Sequence, residues 1–175
     1  MPRLMRAAAL AAALAVTAAC TPATDASLTT VEHVDLKRYL GVWHELARYE
    51  NRFQGPECLN VTAQYGLDKD GDVSVLNSCR NAAGDITDQA EGYAVVADPV
   101  SNAKLRVSFF WPFFGDYWIV ALADDYSWVI VTAPGREYLW ILTRDAMTPD
   151  VLKDQLVAKV RALGFDTSQL FFSRR

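Results

Sequence analysis

The feature that most constrains the fold is a succession of eight short β-prone segments with no helix pattern between them. Each segment is rich in Val, Ile, Tyr, Phe and Trp and is bounded by Gly, Pro, Asn or Asp, as strands joined by turns are. We predict strands at 43–50, 58–67, 72–80, 88–97, 104–111, 117–123, 127–133 and 137–143. Consecutive strands with short connections favour an antiparallel up-and-down barrel or a sandwich, and the pattern alone leaves both open.

A helix pattern follows the last of these strands. Thr148 is expected to cap the helix, Pro149 to take its first position and Gly164 to end it. An apolar stripe at helical spacing predicts packing against the outside of the strands. Its members are Val151, Leu152, Leu156, Val160 and Leu163. A short helical turn is predicted at 36–40, capped by Asp35, and a last short strand at 170–172.

Composition bounds the size and class of the protein. The chain has 175 residues, of which 51% are hydrophobic, and this suits one domain with a substantial core. Its formal net charge of −4 argues against a nucleic-acid partner. The sequence contains two histidines, His33 and His44, and no Cys/His cluster with metal-ligand spacing, so neither a metal nor a cofactor is expected.

The first residues resemble an export signal. Arg3 and Arg6 precede an apolar run too short to span a bilayer, and the small residues before Cys20 resemble the processing motif of bacterial lipoproteins. We therefore predict a signal peptide at 1–19, lipidation of Cys20 and a flexible tether over 20–34. Thr21 implies sorting to the outer membrane. Ordinary cleavage near residue 19, which leaves a soluble periplasmic protein with a free thiol, stays open.

Two distant stretches are chemically matched. Gly41-Val42-Trp43 leads into the first strand, and Arg144 follows the last of the eight. A guanidinium can stack on an indole face and also donate hydrogen bonds to backbone carbonyls. We therefore predict that Arg144 stacks on Trp43 in a structural rather than a catalytic role.

These residues resemble the signatures of the lipocalin family. Gly41-x-Trp43 is similar to the first signature, Asp125-Tyr126, in a turn between strands, to the second, and Arg144 to the Arg of the third. Any one of these motifs is loose, and their order and spacing together make the resemblance specific.

The resemblance extends beyond the signatures and covers residues 36–173. The segments 105–115 and 138–144 are similar to segments of the bacterial outer-membrane lipoprotein lipocalins. The resemblance implies an all-β domain over 35–175, an eight-stranded antiparallel up-and-down barrel or calyx, with one C-terminal helix packed outside. It also implies that Gly41, Trp43 and Arg144 are structural residues at the closed floor.

An eight-stranded barrel can hold one small ligand, and the resemblance implies a fatty acid or a lysophospholipid. Inward residues share parity along each strand, and small residues such as Gly92 and Ala94 are expected to leave volume. The residues expected to line the ligand cavity are Ala63, Tyr65, Leu105, Val107, Phe109, Tyr117, Ile119, Trp140 and Leu142.

Two cysteines lie near the ends of one predicted hairpin. Folding at Lys69-Asp70 brings Cys58 and Cys79 opposite each other, and an oxidising envelope compartment favours a disulfide between them. Two unpaired core thiols are the alternative.

An aromatic segment at 111–115, Trp-Pro-Phe-Phe-Gly, is expected among the loops around the open end of the barrel, the mouth. It is expected either to contact a membrane interface or to fold over the mouth as a lid. No motif of an enzyme nucleophile or phosphate loop has a supporting partner, so we predict a binding protein rather than an enzyme. A structural lipoprotein with a filled barrel and, less favoured, an enzyme on the same scaffold are the alternatives. A homodimer is left open.

Overall fold

The structure is a computed structural model that describes residues 28–55, 58–67, 69 and 72–173. The predicted signal peptide and Cys20 lie outside these residues. The strands are β1 at Gly41–Tyr49, β2 at Asn60–Leu67, β3 at Val73–Arg80, β4 at Ile86–Val96, β5 at Lys104–Phe110, β6 at Phe113–Leu122, β7 at Trp128–Thr132, β8 at Leu139–Thr143 and β9 at Leu170–Phe172. The helices are α1 at Leu36–Tyr39 and α2 at Asp150–Ala162.

The antiparallel sheet closes on itself through β1. Neighbouring strands pair in chain order from β2 to β8, β8 pairs with β1, and the first half of β1 pairs back to β2 with Trp43 opposite Ala63. The second half of β1 pairs instead with β9, where Arg48 lies opposite Phe171. The predicted eight-stranded barrel and the short last strand beside the first are therefore confirmed.

The up-and-down order gives the barrel two ends. The floor is the end where β1 begins and β8 finishes, beside Trp43 and Arg144. The mouth is the opposite end, which carries the β1–β2, β3–β4, β5–β6 and β7–β8 connections. α1 leads into the floor, and the carboxylate of Asp35 accepts the backbone N–H groups of Lys37 and Arg38, as its predicted capping role requires.

α2 packs against the outside of the barrel and covers a second apolar core there. Leu156 and Val160 are buried, and Leu152 and Leu163 pack beside them. Val151 is 70% exposed, so its place in the stripe was wrong. It is one residue from Leu152, and ~100° of helix rotation per residue turns it out of the packed face.

The start of α2 also differs from the expectation. Pro149, with an extended backbone, is the N-cap and makes no side-chain cap hydrogen bond, so the predicted capping by Thr148 was wrong. The Thr148 hydroxyl lies 3.1 Å from the hydroxyl of Thr143 at the end of β8 instead. Its hydroxyl is thus engaged with the strand that precedes the helix rather than with the helix N-terminus.

The aromatic segment at the mouth is a hairpin tip rather than a loop. β6 begins at Phe113, four residues before the predicted strand, and Phe110 pairs with Phe113 across a turn made of Trp111 and Pro112. The pairing of β5 with β6 continues to this turn because the aromatic residues suit paired strands.

The segment before α1 packs on the barrel where a tether was expected. The N–H of Val31 donates to the carbonyl of Ile119 at 3.0 Å, and that of Val34 donates to the carbonyl of Ser101 at 2.7 Å. The Val34 side chain is fully buried. These contacts place residues 28–34 with the folded domain and correct the predicted tether over that range. Among the described residues, no helix is long and apolar enough to cross a membrane.

Candidate ligand-binding site

The floor is built on the predicted pair of Trp43 and Arg144. The guanidinium carbon of Arg144 lies 3.9 Å from the centre of a Trp43 ring, and its Nη atoms donate to the carbonyls of Arg38, Tyr39 and Val42 at 2.7–3.0 Å. The Trp43 indole N–H donates to the Tyr39 carbonyl at 2.8 Å. The predicted stack is therefore present, and it ties α1 to the start of β1 and the end of β8.

Gly41 fits this floor for two physical reasons. Its φ of +96° is a conformation that side chains rarely adopt, and a Cβ there would lie 3.3 Å from Arg144 Nη1. The backbone can therefore turn into β1 beneath the guanidinium only where no side chain intervenes.

The second signature turn closes the floor from another side. The guanidinium carbon of Arg38 lies 4.0 Å from the centre of the Tyr126 ring, and Arg38 donates to the carbonyl of Asp124 at 2.8 Å. The Tyr126 hydroxyl accepts the backbone N–H of Asp35 at 2.8 Å. The turn at Asp125-Tyr126 thus holds α1 in place.

A layer of tyrosines lies directly above the floor, inside the barrel. The hydroxyl oxygen of Tyr117 lies 2.7 Å from that of Tyr39 and 2.9 Å from that of Tyr65. Burial is the main reason that the pKa of each of these phenols is raised well above its ordinary value. The hydroxyls of Tyr65 and Tyr117, which we expected to face the ligand, are thus bonded within this layer.

The other predicted wall residues face the same interior. Ala63, Leu105, Ile119 and Leu142 are buried in the core enclosed by the strands, and Val107, Tyr117 and Trp140 pack against it. The inward positions predicted for them, from strand parity and from the family resemblance, therefore agree with the structure. Whether they contact a ligand stays a prediction.

Phe109 lines the interior near the mouth, where it is 44% exposed. A Cβ added at Gly92 would meet the Ser108 carbonyl and lie 2.8 Å from Cδ1 of Phe109. Because Gly92 on β4 has no side chain, the Phe109 ring on β5 can lie against it. The ring therefore fills part of the volume that we expected Gly92 to leave.

The wall of the barrel is incomplete at the mouth. All six residues of β4 from Ile86 to Glu91 are exposed. β5 pairs with β4 only from Tyr93 to Val96, so this part of β4 extends beyond its neighbour and both of its faces are exposed. The barrel, called the cup below, is therefore closed at the floor by Trp43 and the tyrosine layer and has an incomplete wall at the mouth.

A buried polar cluster beside Trp140 was missed from the sequence. The carboxylate of Glu45 accepts hydrogen bonds from Arg48 Nη1 at 2.6 Å, Gln54 Nε2 at 2.8 Å and Ser173 Oγ at 2.7 Å. The Trp140 indole N–H donates to Gln54 Oε1 at 3.1 Å. Gln54, in the connection between β1 and β2, thus links the predicted ligand-contacting Trp to an ion pair in which both side chains are almost fully buried.

A register shift in β1 explains why this cluster was missed. Glu45 pairs with Leu142 and Arg48 with Trp140, and both partners face the interior, although simple alternation would turn Arg48 outward. An irregularity between Glu45 and Ala47 reverses the alternation. Two oppositely charged residues three positions apart in a strand of mostly apolar residues were the signal available in the sequence.

The predicted Cys58–Cys79 disulfide is confirmed and lies near the mouth. The two residues are 21 apart in sequence, and both are buried with Val61. The bond joins the residue two positions before β2 to the end of β3. Among the described residues, no group of three or more His, Cys, Asp or Glu side chains is placed to hold a metal ion.

Comparison with known families decides the identity of the fold. A lipocalin-like domain profile matches residues 34–175. The chain is a lipocalin. It is 40% identical over 166 residues to the outer membrane lipoprotein Blc of Escherichia coli K12, an alignment covering 94% of this chain and 93% of that protein.

More distant relatives agree with this assignment. The lipocalin is 37% identical over 153 residues to temperature-induced lipocalin-1 of Arabidopsis thaliana, covering 82% of this chain and 80% of the other. The solved structure of insecticyanin from Manduca sexta superposes with a TM-score of 0.67 at 20% identity, covering 85% and 84% of the two chains, and shows the common fold. Lipocalins are generally binding proteins, and the family and its outer membrane lipoprotein members support a lipocalin that binds a lipid or other small molecule.

Proposed function

We propose that this lipocalin binds a lipid with one long acyl chain, a fatty acid or a lysophospholipid, in the part of the barrel above the tyrosine layer. The observation that carries the proposal is the cup itself: an interior core of mainly apolar side chains, closed at the floor and with an incomplete wall at the mouth, where β4 extends beyond β5. An acyl chain entering such a cup leaves water, which contributes ~0.8 kcal/mol per buried methylene before the costs of binding.

Trp140 is the side chain in this interior that best reports the ligand. It pairs with Arg48 in the upper half of the barrel and lies about 13 Å above Arg144, at ~3.3 Å per residue along the strand. Its ring face packs against the interior core, and the ring of Tyr138 stacks on it with centroids 5.7 Å apart. Phe109 on β5 and Tyr117 on β6 would complete the wall around the acyl chain.

The test is a titration of intrinsic fluorescence with a lysophospholipid or a long-chain fatty acid. We expect a saturable change in the parent protein, and we expect Trp140→Ala to remove most of the change and to weaken binding. Trp43→Phe is the matched control, because its indole lies in the floor below the tyrosine layer. That variant should bind the lipid like the parent and lose mainly thermal stability.

A barrel filled by its own side chains is the second candidate, and two observations favour it. The tyrosine layer occupies the lower interior, and Phe109 takes space beside Gly92. This candidate forecasts no saturable signal with any acyl ligand and an effect of Trp140→Ala on folding alone. Tight lipid binding by Trp140→Ala would contradict the site assigned here.

The cellular role proposed with this activity is lipid transport, storage or membrane maintenance at the outer membrane. The support is the similarity to outer membrane lipoproteins and the processing motif that ends at Cys20. Acylation of Cys20 would hold the barrel at the membrane, facing the periplasm.

A further inference from the structure

The tip of the β5–β6 hairpin exposes a cluster of large apolar side chains at the rim of the mouth. Phe110, Trp111 and Phe113 are 77%, 75% and 71% exposed. These three residues are called the aromatic tip below. Their exposure means that the rings extend into solvent and do not fold over the mouth, so the alternative of a lid is contradicted by the structure.

The surroundings of the aromatic tip suit a lipid surface. The chain from Val107 to Gly115 carries no charged residue. The first charges on the two strands are Arg106 and Asp116, which pair with each other across the hairpin. The tip is five residues beyond Arg106, or ~16 Å at ~3.3 Å per residue, whereas interfacial apolar groups enter a bilayer by ~5–10 Å. The rings can therefore be immersed while both charges stay in water.

The position of the N-terminal segment fits the same arrangement. The Val31 N–H donates to the carbonyl of Ile119 on β6, six residues along that strand from Phe113, or ~20 Å at ~3.3 Å per residue. Residues 28–34 pack on the barrel, and the eight residue steps from Cys20 to Leu28 can span up to ~29 Å. An acyl group on Cys20 can thus enter the bilayer that the aromatic tip enters.

We propose that the aromatic tip is a membrane-contact surface that inserts into the headgroup region of a phospholipid bilayer and holds the open mouth against it. Trp and Phe are side chains that favour this interface. Phe109, immediately before the tip, lines the interior, so one hairpin joins the bilayer surface to the cup. A lipid could then pass between bilayer and barrel with little exposure of its acyl chain to water.

The test is flotation with vesicles of phosphatidylethanolamine and a minor share of phosphatidylglycerol. The protein is the chain 20–175, which includes every described residue, with Cys20→Ser so that no acyl anchor contributes. This parent should float with the vesicles. Combined Phe110→Ser, Trp111→Ser and Phe113→Ser should lower its partition coefficient by roughly tenfold or more, because the apolar area that enters the interface is lost.

A matched control replaces three equally exposed apolar residues near the floor. Val100, Met147 and Val151 are 85%, 74% and 70% exposed, and Val100→Ser, Met147→Ser and Val151→Ser together should leave flotation unchanged. Trp140→Ala should also float like the parent, so a failure of lipid binding inside the barrel is separate from a failure of membrane contact.

Two results would overturn the proposal: the parent fails to float, or the aromatic-tip variant floats as well as the parent. In the first case, a parent that is dimeric without vesicles and a variant that is monomeric would assign the aromatic tip to contact with a second copy of the chain.

Discussion

At the scale of single residues, the Arg144 side chain joins the parts of the floor. Arg144 donates to three carbonyls and lies on Trp43, so its removal would take away a cation–π contact and three hydrogen bonds. Burial is the main reason that the pKa of its guanidinium is lowered from the ordinary value.

We expect Arg144→Ala to reduce the free energy of unfolding by roughly 2–3 kcal/mol, or about 5–10 °C in melting temperature. Calorimetry of parent and variant measures the change. Arg144→Lys is the control, since it keeps the charge but not the planar group that reaches several carbonyls. Its melting temperature should lie between those of the parent and Arg144→Ala. Equal melting curves for Arg144→Ala and the parent would show that the pair does not stabilise the floor.

The tyrosine layer should make stability depend on alkaline pH. Burial raises the pKa of Tyr39, Tyr65 and Tyr117 in the folded state, so the unfolded chain releases these protons first as pH rises. Their contribution is therefore fully present below the ordinary tyrosine pKa of ~10 and is lost as pH rises above it.

We expect the melting temperature to fall steeply above about pH 10, and tyrosinate absorbance from these three residues to appear only with unfolding. Tyr117→Phe, which removes the central hydroxyl, should lower stability at neutral pH because the other two phenols lose a partner. Titration of all seven tyrosines near their ordinary pKa in the folded protein would contradict this account.

At the scale of elements, the disulfide fixes the β2–β3 hairpin at the mouth. It closes a loop between residues 21 apart, in the part of the barrel where β4 is exposed and β1 has left β2 for β9. A disulfide at this point stabilises the end of the barrel where hydrogen-bonded pairing between strands is incomplete.

Cys58→Ala with Cys79→Ala should cost about 3 kcal/mol, mainly by freeing the unfolded chain, and lower the melting temperature by about 6–12 °C. Reduction of the parent without mutation should produce the same shift. Free thiols at both positions in the denatured, unreduced protein would rule out the bond in the purified molecule.

At the scale of the whole molecule, the two ends of the barrel differ: the floor is closed, and the mouth carries the aromatic tip. The floor carries the signature residues, whereas the mouth carries the disulfide, the exposed part of β4 and the aromatic tip. A lipid carrier tied to a membrane benefits from this polarity, because the open end can meet the surface from which ligand comes.

The anchor at Cys20 is the prediction at this scale. Cells supplied with labelled fatty acid should produce a labelled mature protein that fractionates with the outer membrane, and Cys20→Ser should abolish the label because no other thiol is free for acylation. The disulfide accounts for the other two of the three cysteines. A mature parent protein without label would rule out the anchor and leave ordinary signal cleavage.

The sequence by itself determined the number and order of the strands, the outer helix, the floor pair and the disulfide partners. These depend on local signals: alternating apolar residues, turn residues and chemically matched side chains at recognisable positions. The inward positions of Ala63 and Leu142 followed from the same alternation, and those of Leu105 and Ile119 from the family resemblance.

Only the tertiary structure decided the features that depend on register and on contacts between distant residues. The irregularity in β1 turned Arg48 inward beside Glu45, and three tyrosines from separate elements met above the floor. The β5–β6 ladder continued to a turn at Trp111, so the rings expected in a loop became an exposed tip. Each outcome was set by the free energy of pairing whole strands, which no single stretch of sequence specifies.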